Sequence, residues 1–270
     1  MLTALRTRGR QLSAALTAAL DAADRQTLPP GSLSPRARGF VVYVVAALVL
    51  IAMAYGVLSV DAQTAMARAL IQLGSAIDDD LGALLERNKG LLRVAMWSFG
   101  ALVFYVMIPG LVIRLVLGHR MRDYGMNLDG FARHLPIYLV LFVPVAALVL
   151  VVAASPDFQA KYPLFKDHRG LADLLVWEVL YAMQFFALEF FFRGFLVHGV
   201  KDRLGVLSVF AMVMPYVMIH FSKPLYETVG AVIAGSVLGL VSLSTGSIAG
   251  GVLIHVGIAW TMDAAALIYR

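Results

Sequence analysis

Residues 172–199 read ADLLVWEVLYAMQFFALEFFFRGFLVHG, an apolar run long enough to cross a bilayer, with Glu189 and Arg193 deep inside it. A transmembrane helix needs about 20 consecutive, mostly apolar residues, and a charged side chain at its centre costs about 2.5–3.5 kcal/mol on insertion scales. The run is therefore expected to be a membrane span, and its ionisable groups are functional candidates. Two further groups share this setting: His220 in Tyr216-Val217-Met218-Ile219-His220, and His255 in Leu253-Ile254-His255-Val256. Three such groups on neighbouring predicted helices read as one site.

Composition agrees with lipid as the solvent. The chain has 270 residues, of which 60% are hydrophobic and 14% charged, with mean hydropathy +0.81. Soluble domains carry about 25% charge. The expected fold class is all-α, a polytopic transmembrane bundle in an inner or plasma membrane. The net charge of +5 does not point to nucleic acid, because the basic residues cluster beside apolar runs, where topology and anionic lipid account for them. The absence of cysteine excludes disulfides, thiolate ligands and a cysteine nucleophile. The first apolar run begins near Phe40, too far in and too long for a cleavable leader, and reads as a retained span.

Working outward, spans are expected near 40–60, 91–117, 135–154, 172–199, 205–222, 226–243 and 247–268, about seven in all. Residues 1–38 form a separate basic segment with Arg6, Arg8, Arg10, Arg25, Arg36 and Arg38. Its stretch from Leu2 to Ala22 has helical apolar spacing, so it should lie on the membrane surface or be loosely ordered. The transmembrane domain is then 39–270. Segment 62–88 carries Asp78-Asp79-Asp80 and reads as an interfacial helix and loop. Arg120, Arg122 and Arg133 lie in loop 118–134 and place it on the same side as the N-terminus, expected to be cytoplasmic. Gly235 and Gly239 have GxxxG spacing, which should bring the last two spans together near His255.

Glu189 and Arg193 are four residues apart, so they share a helix face and can pair. Such a pair would orient the carboxylate, or it would serve packing alone. Glu178, near the outer end of the same run, fits an interfacial role. A histidine such as His220, one turn after Tyr216, is also found as a hydrogen-bonded packing residue. Asp263 lies two turns after His255 but about 80° around the helix, and reads as an outer-interface carboxylate. One carboxylate with two imidazoles is sufficient for hydrolysis by activated water: the carboxylate takes a proton, and imidazole positions water or stabilises the oxyanion. No metal is required. If one is used, a divalent ion such as zinc would find ligands in Glu189, His220 and His255.

Other hydrolase signatures are missing. There is no His-Glu-x-x-His, no Gly-x-Ser-x-Gly and no Gly-x-Gly-Asp. Ser247, in Gly246-Ser247-Ile248-Ala249-Gly250, is better read as a helix cap than as a nucleophile.

At these residues the chain resembles the CPBP family, which groups CAAX prenyl endopeptidases with bacteriocin-processing and immunity proteins. Its pattern of Glu-Glu-x-x-x-Arg, Phe-x-x-x-His and His-x-x-x-Asn/Asp is met here by Leu188-Glu189-x-x-x-Arg193, Tyr216-x-x-x-His220 and His255-x-x-x-Ala259. The resemblance covers about residues 120–268, with Asp123-Tyr124-Gly125-Met126-Asn127 as its entry, and the run His220-Phe221-Ser222-Lys223-Pro224 resembles prokaryotic members.

The resemblance implies an intramembrane endopeptidase that acts on a membrane-anchored protein or peptide. Glu189 would be the base, Arg193 its orienting partner, and His220 and His255 the water or oxyanion groups. Phe192 and Tyr216 would meet the substrate. Leu188 replaces the first glutamate, Tyr216 replaces phenylalanine and Ala259 replaces the last polar residue. The alternative implied is a binding or immunity protein that has lost hydrolysis. One geometric problem follows from the expected spans: Glu189 falls towards the inner end of a long helix, whereas His220 falls towards the outer side.

Overall fold

The computed structural model describes Thr17, Asp21 and residues 24–223 and 225–269, apart from the side chain of Tyr226. The expectation for residues 2–22 lies almost wholly outside these. The described chain is helical: α1 Pro35–Val57, α2 Val60–Ile77, α3 Asp79–Arg87, α4 Lys89–Val116, α5 Phe131–Val152, α6 Pro156–Lys161, α7 Leu171–Leu204, α8 Leu207–Met218, α9 Leu225–Thr245 and α10 Ala249–Ile268. In lipid every backbone polar group must be satisfied within its own segment, which leaves helices as the form for these runs. Apolar side chains on the spans face outward, as Val151 does at 78% exposure. This is a polytopic helical membrane protein.

Among the described residues six helices are long and apolar enough to cross a membrane, not seven. The expected span at 205–222 is the 12-residue α8. At 1.5 Å per residue it reaches about 18 Å, against a hydrocarbon core of about 30 Å. Gly205, at φ 51°, precedes it. Pro215 lies inside it. After Met218 the chain turns, and the His220 carbonyl accepts both the Lys223 N–H at 2.8 Å and the Thr228 hydroxyl at 2.9 Å. His220 therefore follows a short helix and does not end a full crossing.

Span four also differs from expectation. α7 runs for 34 residues, with a π-helical stretch over Phe190–His198 between its α-helical parts. Glu189 ends the 19-residue first part, so it falls near the middle of the helix in sequence and not near its inner end.

Two compact units divide the chain. Unit one comprises the described residues up to Val44, with Gly110–Phe131 and Phe190–Gly251; unit two comprises Val45–Pro109, Ala132–Glu189 and Val252–Arg270.

In unit one, α9 packs against α8 through small residues. A Cβ on Gly235 would come within 2.9 Å of the Tyr216 ring, and one on Gly239 within 2.6 Å of Val209 Cγ1. The GxxxG face thus meets α8, which corrects the expectation that it joins α9 to α10. The reason is the apolar row on α8, Val209, Met212, Val213 and Tyr216, which needs a partner surface without side chains. Residues 28–32, before α1, are hydrogen-bonded into unit one. Leu28 N–H donates to Asp202 Oδ1 at 2.8 Å, Ser32 N–H to the Leu117 carbonyl at 2.9 Å, and His119 Nε2 pairs with the Pro29 carbonyl at 3.1 Å. Arg38 is buried, bonding Asp202 and the Gly199 carbonyl.

In unit two, the segment expected as a helix and loop is a helical hairpin. Ser59 caps α2 through Ala62 N–H, and Asp78 caps α3 through Leu81 N–H at 3.0 Å. The acidic run at 78–80 thus begins a helix, where carboxylates suit the positive end of its dipole. Elsewhere in the unit, Phe165, Trp177, Tyr181 and Ala259 form a buried cluster with Leu91, Val94, Trp97 and Phe185 packed on it.

Candidate active site

Unit two holds Glu189 and His255. Glu189 is fully buried, at the last α-helical position of α7 before the π-helical stretch. His255 Nδ1 lies 2.7 Å from Glu189 Oε1. An ionised carboxylate only accepts, so the ring donates Nδ1–H and presents Nε2 as its lone pair. The imidazole also stacks on Phe185, with centroids 4.4 Å apart. Its side chain stays 21% exposed while that of Glu189 is 0%. The imidazole is thus the open member of the pair. Leu188, in place of the expected second carboxylate, is buried.

Unit one holds Arg193, Phe192, Tyr216 and His220. The Arg193 guanidinium lies 4.1 Å from the Tyr216 ring centroid, and both residues are buried. A desolvated cation over an aromatic face gains about 2 kcal/mol or more. Phe192 meets Tyr216 edge-on at 5.2 Å. Tyr216 is next to the His220 ring at 4.8 Å. His220 donates Nδ1–H to the Tyr216 carbonyl at 2.8 Å, so its Nε2 is an acceptor when the ring is neutral. The aromatic at 216 therefore has two neighbours to hold: the cation on its face and the imidazole one turn later. Within either unit, no three described His, Cys, Asp or Glu side chains gather into a cluster able to hold a metal ion.

The expectation for Asp263 is corrected. It is fully buried and accepts Trp177 Nε1–H at 2.6 Å, because the indole on the facing helix gives a membrane carboxylate the donor it needs. Glu178 is only half-buried, but its Oε2 is enclosed without a hydrogen-bond partner among the described residues, and its backbone carbonyl accepts Trp260 Nε1–H at 3.2 Å. Ser247 serves the start of α10: its Oγ accepts Ala249 N–H at 3.2 Å and donates to the Asn127 carbonyl at 2.6 Å.

The entry motif at 123–127 clasps that same turn. Ile248 N–H donates to the Gly125 carbonyl at 3.0 Å, and Asn127 Nδ2 to the Gly246 carbonyl at 2.9 Å. Gly125 has φ 80°, and a Cβ there would press on Ile248 and on His198 Nε2, so the position requires glycine. Tyr124 is buried against His119 Nδ1 at 3.0 Å, and burial pushes its phenol well above the ordinary value.

A buried set missed in the sequence is His198, Lys201 and Ser242. His198 Nε2 lies 3.1 Å from Ser242 Oγ, and Lys201 Nζ lies 3.3 Å from His198 Nδ1. An ammonium group only donates, so Nδ1 accepts and Nε2 carries the proton towards the serine. The ring cannot then take the serine proton, and the set is a tether between α7 and α9, not a nucleophilic triad. Its signal in the sequence was an imidazole inside an apolar run, hidden by the flanking Gly199 and Lys201.

Residues 170–261 match the model of the family described as type II CAAX prenyl endopeptidase Rce1-like. This stretch belongs to the Rce1-like family. The matched range contains Glu189, Arg193, Tyr216, His220 and His255, and the match bears out the CPBP resemblance. No curated protein and no solved structure matches the chain. The Rce1-like family is one of CAAX-type intramembrane proteases. With six candidate spans the chain is a multi-pass membrane protein, and the family matched over 170–261 is one of membrane proteases that act on proteins or peptides.

Proposed function

We propose that the chain is an intramembrane endopeptidase that cuts a membrane-anchored protein or peptide with water activated by Glu189 and His255. The observation that supports this most directly is the 2.7 Å contact between Glu189 Oε1 and His255 Nδ1 in the interior of unit two. A carboxylate behind an imidazole fixes its tautomer and stabilises the imidazolium that forms when Nε2 accepts a proton. In this arrangement Glu189 is the basic group and His255 carries its effect to the water. The water then attacks the scissile carbonyl, and the imidazolium returns the proton to the leaving amine.

In unit one, His220 with its Nε2 acceptor and Arg193 with its buried positive charge are the groups suited to position water and to orient a carboxylate. Phe192 and Tyr216 would shape the wall that the substrate meets once neighbouring side chains move. No step is routed through a metal: a divalent ion such as zinc would need a ligand group that no three described His, Cys, Asp or Glu side chains form. Arg36 and Arg38 at the start of α1, with Arg120, Arg122 and Arg133, support a cytoplasmic N-terminus in a plasma or inner membrane.

Leu188 favours a second reading, a binding or immunity protein built on the same scaffold. The two are separated by cleavage of prenylated and unprenylated membrane-anchored peptides in proteoliposomes. The protease reading expects cutting that Glu189→Gln and His255→Ala abolish; cutting undiminished in both variants rejects it.

A further inference from the structure

Within unit two, α7 and α10 meet along a row with a step of four on each helix. α7 contributes Trp177, Tyr181, Phe185 and Glu189; α10 contributes Asp263, Ala259 and His255. Trp177 Nε1–H donates to Asp263 Oδ2 at 2.6 Å, and eight residues further along α10 His255 donates to Glu189 at 2.7 Å. Between these two polar pairs the space is filled by rings. Trp177 stacks on Tyr181 at 4.5 Å, Tyr181 meets Phe185 at 4.6 Å, and Phe185 stacks on His255 at 4.4 Å. Ala259, without a side chain of any length, lies in the cluster that holds Tyr181.

Apolar contacts along such a row are permissive about register. Small residues and flat rings tolerate sliding, and lipid supplies no hydrophobic force to resist it. A hydrogen bond is not permissive. A slide of one helical turn moves α10 by about 5.4 Å along its axis, enough to carry either polar pair beyond hydrogen-bond range. A fully buried carboxylate in a span is costly, and the row would pack without it. The two polar pairs are anchored eight residues apart on α10 and twelve apart on α7, about 12 Å and about 18 Å of helix rise, with stacked rings as the strut between them.

We propose that Asp263, through its bond to Trp177, is a positioning residue that sets the register of α10 against α7 and so keeps His255 Nδ1 on Glu189. The proposal deepens the reading of Glu189 and His255 given above and rests on it for its catalytic consequence. Asp263 touches no reacting atom; it acts through the helix that carries His255.

The test uses the full chain, labelled with ¹⁵N-histidine, in lipid nanodiscs. The His255 ring signals are assigned by their loss in His255→Ala. The wild type should show a protonated Nδ1 and a lone-pair Nε2. Asp263→Ala and Trp177→Phe should lose that single-tautomer pattern, while Asp263→Asn, whose Oδ1 still accepts the indole N–H, should retain it. Trp177→Phe deletes one donor and leaves an aromatic ring in the row, so it decides the matter if Asp263→Ala does not fold. Wild-type ring signals in both disrupting variants overturn the proposal, even if melting temperatures fall, because a merely structural role lowers stability without moving the tautomer. The ring signals need no substrate, so an absence of peptide cleavage rejects the protease reading and leaves the register question answerable. Where a peptide is cut, Asp263→Ala should lower kcat about 10-fold at constant KM, the scale of lost outer-shell support.

Discussion

Glu189 is enclosed completely while its partner His255 keeps 21% of its side chain exposed, and a single 2.7 Å hydrogen bond joins them. The carboxylate is thus enclosed behind the imidazole, which is the open member of the pair. Glu189→Gln keeps an acceptor for Nδ1–H, so folding should hold within about 1 kcal/mol, whereas cleavage should fall by about 10²- to 10⁴-fold, the scale of a lost acid–base group. His255→Ala instead removes a donor from a buried carboxylate and should cost about 1–3 kcal/mol of stability as well. Thermal scans in detergent beside the peptide assay read both effects; a Gln variant that cuts like the wild type would remove Glu189 from the mechanism.

Tyr216 is a second point of leverage, because its ring lies under the Arg193 guanidinium at 4.1 Å. Tyr216→Leu should lose about 2 kcal/mol by removing the aromatic face from a desolvated cation. Tyr216→Phe keeps the face and should cost clearly less. Equal melting temperatures for the Leu and Phe variants would show that the ring contact contributes nothing.

The fit between α8 and α9 can be probed at two glycines of one helix. A Cβ on Gly239 would stand 2.6 Å from Val209 Cγ1, whereas one on Gly230 would meet nothing within 4 Å. Gly239→Val should therefore destabilise by about 1–3 kcal/mol through overpacking. Gly230→Ala should be neutral or stabilising by up to about 1 kcal/mol, because alanine loses less backbone freedom in a helix. The reverse order in a denaturation series would mean that α9 presents another face to α8.

Much of this was legible in the sequence, and for one reason. Glu189, Arg193, His220 and His255 stand out because an ionisable group in an apolar run is costly, and cost is visible without coordinates. The spans were legible from length, except at 205–222, where Gly205 and Pro215 shorten a run whose composition alone suggests a crossing. Asp263 was misread because an ideal helix turns it about 80° away from His255, and its real partner, Trp177, belongs to another helix. The GxxxG face was recognised but its partner was not, since glycine spacing says that a backbone comes close and not which one. His198 was overlooked for its flanks, although it is as buried as Glu189.

Tyr124 lies outside the spans and is buried against His119. Burial disfavours the phenolate and raises its pKa above the ordinary 10.0. The folded state therefore holds this proton more tightly than the unfolded state does. Its contribution to stability is fully present below pH 10 and is lost as pH rises from about 10 through the folded value. Stability followed by denaturation should fall over that alkaline window in the wild type. Tyr124→Phe has no proton to lose there and should show a shallower fall, at the expense of the His119 hydrogen bond, which lowers its stability at neutral pH by about 1 kcal/mol. If the wild type and Tyr124→Phe decline in parallel above pH 10, the alkaline loss belongs to other groups, and the phenol is not the buried proton reservoir that its surroundings make it.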